Sequence, residues 1–333
     1  MNKFSSLTSI EYARREKSKF LSTSTVKPCS HCGGGVSAQL DAGGVNSPCH
    51  GYTGGVNEHE KDVLASPVVA IACWGYYYQT NPAVPAEFAA FITQLFGSTY
   101  WSNLKEYGIN QGTLAGVSVC NGDIFDNTGG PQAQLQSWLS QGLLPQPLTP
   151  SDAKNWVYLI LPPPGEVVHS GSVSSLTGLC GYHGHQVFQF AINFGDTSHD
   201  PTWIGDFTGV GHSQVLFYSP GDGHWWLATY NTGKGQFDWT LRSVTRGFSA
   251  DVPFAIVAMP SNPASGAKAV VNSVSYCISH ELTEAFTNPR GKGFYSDANG
   301  CEVGDLCEQL GTFTVAGWNV EKYWSNKNKG CVS

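Results

Sequence analysis

From residue 66 onward, long apolar runs alternate with amphipathic stretches, and hardly any precede it. Residues 67–74 are apolar throughout and stop at Gly75, the pattern of a strand buried on both faces. Residues 156–161 repeat it and run into three prolines, and residues 254–259 give a third such strand. Helical spacing takes over between them. Phe88, Phe91, Ile92 and Leu95 share one face of a helix over residues 85–96, with Pro85 in its first turn. Residues 100–107 continue that layer. Leu135, Trp138 and Leu139 mark another helix over residues 131–142. A long helix is predicted over residues 267–286, with Val271, Val274, Ile278, Leu282 and Ala285 as its apolar stripe and Asn288-Pro289 closing it.

Residues 203–227 break this alternation. They read as strand, turn, strand around a Ser-Pro-Gly-Asp-Gly turn and resemble a single FG-GAP-like propeller repeat. Asp206 is followed by Thr208, Val210 and Gln214 where a calcium loop wants further acids. One repeat cannot bury its faces without neighbours, so the expectation is a β-hairpin inserted into the main domain over residues 195–248. Trp225 and Trp226 at its end suggest a glycan contact.

Residues 1–62 are rich in Ser, Gly and Asn and read as an irregular leader. Within them, Cys29, Cys32 and Cys49 with His50 fit either a zinc site or disulfides and loose thiols. Charged residues make up only 13% of the 333 positions, and Gly occurs 39 times. That balance suits an extracellular, loop-rich protein, although residues 1–25 lack the apolar stretch of a signal peptide. A net charge of −7 with no basic cluster argues against a nucleic-acid partner. No apolar run is long enough to span a membrane.

The candidate chemistry sits on the long helix. His280 and Glu284 are four residues apart and stack on a face other than the apolar stripe. Glu281 is rotated about 100° from His280, the place of the general base in His-Glu-x-x-His metallopeptidases. Here Glu284 stands where those enzymes have the second His. A carboxylate binds zinc at a similar distance but weakens it as a Lewis acid. Downstream, Glu302 and Asp305 occupy a turn between Cys301 and Cys307. The spacing from Glu284 to Glu302 is similar to that of the third ligand in thermolysin-like zincins, so His280, Glu284 and Glu302 form the expected Zn²⁺ set. Asp305 either joins the metal or accepts the other ring N–H of His280. A Cys301–Cys307 disulfide is expected if the protein is exported.

These residues lie in a segment that resembles the phosphate-induced, Exordium-like family. The resemblance is carried by His280-Glu281-Leu282-Thr283-Glu284, the Asn-Pro-Arg-Gly-Lys-Gly-Phe-Tyr run that ends at Tyr295, and Glu302-Val303-Gly304-Asp305. Trp74-Gly75, Tyr100-Trp101 and Cys180-Gly181-Tyr182-His183-Gly184 add to it. It covers about residues 66–185 and 250–333. Plant members are secreted wall-associated proteins, many without the His-Glu pair. Microbial members tend to keep it, and this chain is similar to those. His183, within the Cys-Gly-x-His-Gly match, either faces the metal as an oxyanion donor or ligand or is a loop His bonded to backbone. Tyr295 is either a second oxyanion donor or a packed aromatic.

The sequence thus predicts an α+β fold over residues 63–333: a mixed sheet, packed helices and a zincin-like active-site helix. The expected function is zinc-dependent hydrolysis of a peptide or protein substrate with Glu281 as base. The alternative is a secreted, non-catalytic Exordium-like protein with a structural metal site that binds glycan or a protein partner.

Overall fold

The computed structural model describes residue 49 and residues 52–120, 131–147, 150–170, 173–190, 202–219, 224–244 and 248–332. Cys29, Cys32 and His50 lie outside them. Five strands form the central sheet: β2 (Val68–Trp74), β3 (Thr113–Cys120), β4 (Trp156–Leu161), β7 (Gly181–Phe190) and β12 (Phe248–Val257). Their order is β3-β2-β4-β12-β7. The first four run parallel, and β7 closes the edge antiparallel to β12, so the sheet is mixed.

The apolar runs are continuous because both faces of this sheet are covered. Val69, Ile71 and Cys73 of β2 enter one core with α2 (Ala83–Phe96), α6 (Ala267–Asn272) and α7 (Ser275–Thr287). Ala70, Ala72 and Trp74 alternate into a second core with α4 (Pro131–Ser140), where Trp74 and Trp138 pack edge to face. α1 (Tyr76–Thr80) and α3 (Thr99–Asn103) extend the first layer, followed by a 3-10 turn at Leu104–Tyr107. α5 (Pro150–Ala153) leads into β4.

The expected long helix is two helices. Val274 leaves the helical region at φ −125°, and side chains on either side compete with the backbone. The Ser273 hydroxyl donates to Val270 O at 2.7 Å, and Asn272 Oδ1 accepts the Asn319 N–H at 2.7 Å. The apolar stripe survives the break, with Val271, Val274, Ile278, Leu282 and Ala285 all buried. The opposite side of α7 is buried too, Glu281 and Glu284 included.

The insertion is larger than a hairpin. β8 (Thr202–Gly205), β9 (Gln214–Ser219), β10 (His224–Asn231) and β11 (Gln236–Val244) form a four-stranded antiparallel sheet in chain order. Each added strand gives its neighbour a cross-strand partner that a lone hairpin lacks. Short pairs complete the fold: β1 (Asn57–Glu58) with β13 (Phe294–Tyr295), β5 (His169–Ser170) with β6 (Val173–Ser174), β14 (Thr312–Val315) with β15 (Trp318–Glu321), and β16 (Tyr323–Ser325) with β17 (Gly330–Val332). Pairing with β13 and burial of Cys49 and Val56 tie the end of the leader to the main core, so that part is not an irregular appendage.

The disulfides correct the expected Cys301–Cys307 bridge. Cys49 joins Cys301, Cys307 joins Cys331, and Cys180 joins Cys277. The turn between Cys301 and Cys307 tightens into a 3-10 helix at Asp305–Leu310, which hands Cys307 to β17 while Cys301 meets the incoming leader. Cys49 is therefore no thiolate ligand for zinc. Cys73 and Cys120 are buried free thiols, and burial pushes Cys120 up to about 12.

Candidate metal centre

α7 supplies three of the side chains because positions 280, 281 and 284 fall within one turn and a third. The 3-10 turn after Glu302 supplies Asp305, β7 supplies His183, and β15 supplies Glu321. Two glycines make the approach possible. A Cβ on Gly304 would lie 2.8 Å from Glu284 Oε1 and 2.9 Å from His280 Nδ1. A Cβ on Gly181 would lie 2.7 Å from Ile256 O and 3.0 Å from Glu281 Oε1.

His280 Nε2 is 3.3 Å from Glu284 Oε2 and 4.0 Å from Asp305 Oδ1. His280, Glu284 and Asp305 each offer an atom within 4.8 Å of the other two. Ligand atoms on a tetrahedral zinc with bonds of about 2.1 Å stand roughly 3.4 Å apart, so this spacing suits a shared cation. Glu302 is not in that group. Its Oε2 lies 3.4 Å from His183 Nε2, and its Oε1 accepts the Asn288 side-chain N–H at 2.6 Å. His183 Nδ1 lies 3.4 Å from Glu284 Oε2 and 3.5 Å from Glu281 Oε2. Tyr295 belongs to neither group: its ring stacks on His59 with centroids 3.7 Å apart.

Asp305 does not take the ring N–H of His280. That position belongs to Glu321, whose Oε2 is 2.8 Å from His280 Nδ1, in an alignment short of a regular hydrogen bond. Asp305 instead accepts the Glu302 N–H at 2.9 Å and donates its own N–H to Glu284 Oε1 at 3.1 Å. Asn288 and Glu321 are the two residues missed from sequence. Asn288 reads as a helix terminator, and its role in holding Glu302 and capping Gly293 N–H at 2.7 Å has no separate signal. Glu321 lies in a different segment, with only the fold to bring it near.

The electrostatics follow from burial. Desolvation pulls the His280 pKa down, but Glu284 and Glu321 outweigh it and leave it well above the ordinary value. His183 is raised in the same way, against burial, by Glu302 first and then Glu281 and Glu284. Burial works to raise Glu284, yet the flanking imidazoles hold it far below the usual carboxylate range. Burial dominates at Glu281 and Glu321 and raises both. Asp305 is raised by burial and by the Glu284 charge.

Two further clusters bring an acid beside sulfur, Cys49 and Cys301 near Asp305, and Cys180 and Cys277 near Glu281. Their sulfurs are disulfide-bonded, so neither offers a thiolate. On the insertion, Trp226 is partly buried rather than openly exposed, and the Trp225 side chain lies outside the described ones. No helix among the described residues is long and apolar enough to cross a membrane. Comparison with protein-family models, curated proteins and solved structures gave no match.

Proposed function

We propose that this protein is a zinc-dependent hydrolase acting on peptide bonds, with the cation held by His280, Glu284 and Asp305 and with Glu281 as general base. The observation that carries the reading is a buried carboxylate, Glu281, next in sequence to one ligand of a convergent imidazole and carboxylate set. The donor set fits zinc, which accepts imidazole nitrogen and carboxylate oxygen alike. The Gly304 backbone leaves the room that the ligands need, and Glu321 backs His280 from behind.

When bound, zinc would polarise the scissile carbonyl and ease deprotonation of a water. Glu281 would take that proton. Burial raises its proton affinity, which brings the group closer to neutral pH, where a base works best. His183, 3.5 Å from Glu281, sets an imidazole at the edge of the proposed site, where it would steady a developing oxyanion. A peptide is favoured as substrate because β7 is an edge strand that carries His183. An extended chain laid along such an edge gains main-chain hydrogen bonds and passes the site. Glu284 in place of a second imidazole predicts slow turnover, since the added negative charge weakens the Lewis acid. The three disulfides among the described residues favour an oxidising compartment and hence export.

The test is metal analysis together with peptide turnover. Glu281→Gln should keep the zinc and lose activity; unchanged turnover in that variant rejects the mechanism. A second reading, a secreted glycan-binding protein, draws on the insertion. Tyr230, Phe237 and Trp239 are exposed on neighbouring strands, with the Tyr230 and Phe237 rings 5.3 Å apart. Glycan binding lost in Trp239→Ala, with no peptide turnover, would favour it. The Exordium-like resemblance is compatible with both readings and rests on the sequence motifs alone.

A further inference from the structure

Glu284 belongs to two groups of ligating side chains at once. His280, Glu284 and Asp305 form one, and His183, Glu284 and Glu302 form the other; in each, one atom per residue lies within 4.8 Å of the others. The groups match in composition: one imidazole, one carboxylate of their own and the shared carboxylate. Oε2 of Glu284 stands between them, 3.3 Å from His280 Nε2 and 3.4 Å from His183 Nδ1. The outer carboxylates are both braced, Glu302 by Asn288 and Asp305 by the Glu302 N–H.

Charge balance points the same way. Glu281, Glu284, Glu302 and Glu321 are 4%, 3%, 2% and 6% exposed, and with Asp305 and Glu308 they set six carboxylates against two imidazoles. Buried charges are tolerated when paired or when they coordinate metals. The His183 side chain is 6% exposed and has a carboxylate facing each ring nitrogen at 3.4–3.5 Å. Those separations are long for charge-assisted hydrogen bonds, and an ion would take one ring nitrogen with one oxygen each from Glu284 and Glu302, which lie within 4.8 Å of one another.

We propose that His183, Glu284 and Glu302 hold a second divalent cation, so that the centre is dinuclear and Glu284 bridges it. This inference rests on the reading that His280, Glu284 and Asp305 hold the first. It places a second cation beside Glu281, whose Oε2 lies 3.5 Å from His183 Nδ1. Two-metal sites of this kind act on ester and amide bonds by stabilising both the attacking and the leaving group.

The test is zinc stoichiometry on the full-length chain, stripped of metal and equilibrated with Zn²⁺ by dialysis. Two zinc ions per chain are expected for the wild type, falling to one in Glu302→Gln. Loaded with Co²⁺, the wild type should show a spin-coupled pair, with a lower resonance intensity per cobalt than Glu302→Gln. One zinc per chain with uncoupled cobalt overturns the second site and leaves the first standing. No zinc at all overturns both. The spin coupling of the wild-type cobalt protein decides the matter even if the variant fails to fold, since a zinc held by Cys29 and Cys32 would add to the count without coupling to a neighbour.

Discussion

Nδ1 of His280 lies 2.8 Å from Oε2 of Glu321, the last residue of β15. The contact is built into the packing of β15 on α7. The Glu321 N–H donates to Ser279 Oγ at 2.9 Å, while the Ser279 hydroxyl donates to Tyr276 O at 2.7 Å. One serine thus clamps the strand against the helix beside His280. A carboxylate behind a ligating imidazole fixes its tautomer and raises its basicity. Glu321→Gln should therefore weaken zinc binding about 10–100-fold, with Glu321→Asp recovering part of the loss. Competition against a chromogenic chelator reads the affinity, and a wild-type value for Glu321→Gln would remove Glu321 from the centre.

Gly304 gives a prediction of a different kind. Its φ of −72° is open to any residue, so alanine costs no backbone strain there. The cost is space, because the new methyl would press on Glu284 and His280 at 2.8 and 2.9 Å. Gly304→Ala should fold yet lose the zinc-dependent rise in melting temperature. A ligand at 100 times its Kd stabilises by about 2.7 kcal/mol, so the wild-type shift is large enough to follow by differential scanning fluorimetry. An equal zinc shift in Gly304→Ala would show that the glycine is not part of the cradle.

These two residues also mark how far the sequence could be read. The strands at residues 67–74 and 156–161 and the face of α7 were legible because burial leaves a local trace in apolar spacing. His280, Glu281 and Glu284 were legible because a helix fixes their mutual direction. Which loop acid joins them was not, because a turn has no such periodicity. The zincin spacing favoured Glu302, while the fold sets Asp305 beside His280 and turns Glu302 toward His183. β7 alternates poorly, with His183 and His185 among its residues, so it gives little strand signal even though it forms the sheet edge. The break at Ser273 and Val274 was hidden because the apolar stripe runs through it unbroken. Disulfide partners far apart in sequence, such as Cys49 and Cys301, leave no local trace at all.

Glu308 carries a pH prediction. Burial pushes its carboxyl up to about 7, aided by the charges of Glu321, Glu284 and Glu281 and opposed by His280. A carboxyl whose folded pKa lies above its unfolded value of about 4.3 favours the folded state while protonated. That contribution is full below the unfolded pKa and is lost as pH rises toward the folded one. In metal-free protein, Glu308→Gln should thus leave stability at pH 4 nearly unchanged and raise it at pH 8. The ceiling on the gain is about 4 kcal/mol, from roughly 1.4 kcal/mol per pKa unit. Urea denaturation of both proteins at the two pH values measures it, and an equal gain at pH 4 and pH 8 would mean that titration is not the cause.

The Cys180–Cys277 bridge joins the residue before β7 to the first turn of α7, and so fastens the strand that carries His183 to the helix that carries His280. Gly181, next in the chain, has no room for a side chain between Ile256 O and Glu281, which leaves this junction no slack. The bridge spans 97 residues. In the chain-entropy view, closing a loop of that size is worth about 4–5 kcal/mol through the unfolded state, and removing native bridges costs about 2–5 kcal/mol. The double substitution Cys180→Ala, Cys277→Ala should lower unfolding free energy by that amount in metal-free protein. It should also weaken zinc binding, because β7 and α7 are then held together by noncovalent contacts alone. Replacing Cys307 and Cys331 opens a shorter loop of 24 residues away from β7, so it should lower stability with a smaller effect on zinc affinity. Parallel urea titrations and chelator competition on the two double variants separate these effects. Equal zinc affinities in the two would show that the bridge stabilises the fold without aligning the metal centre.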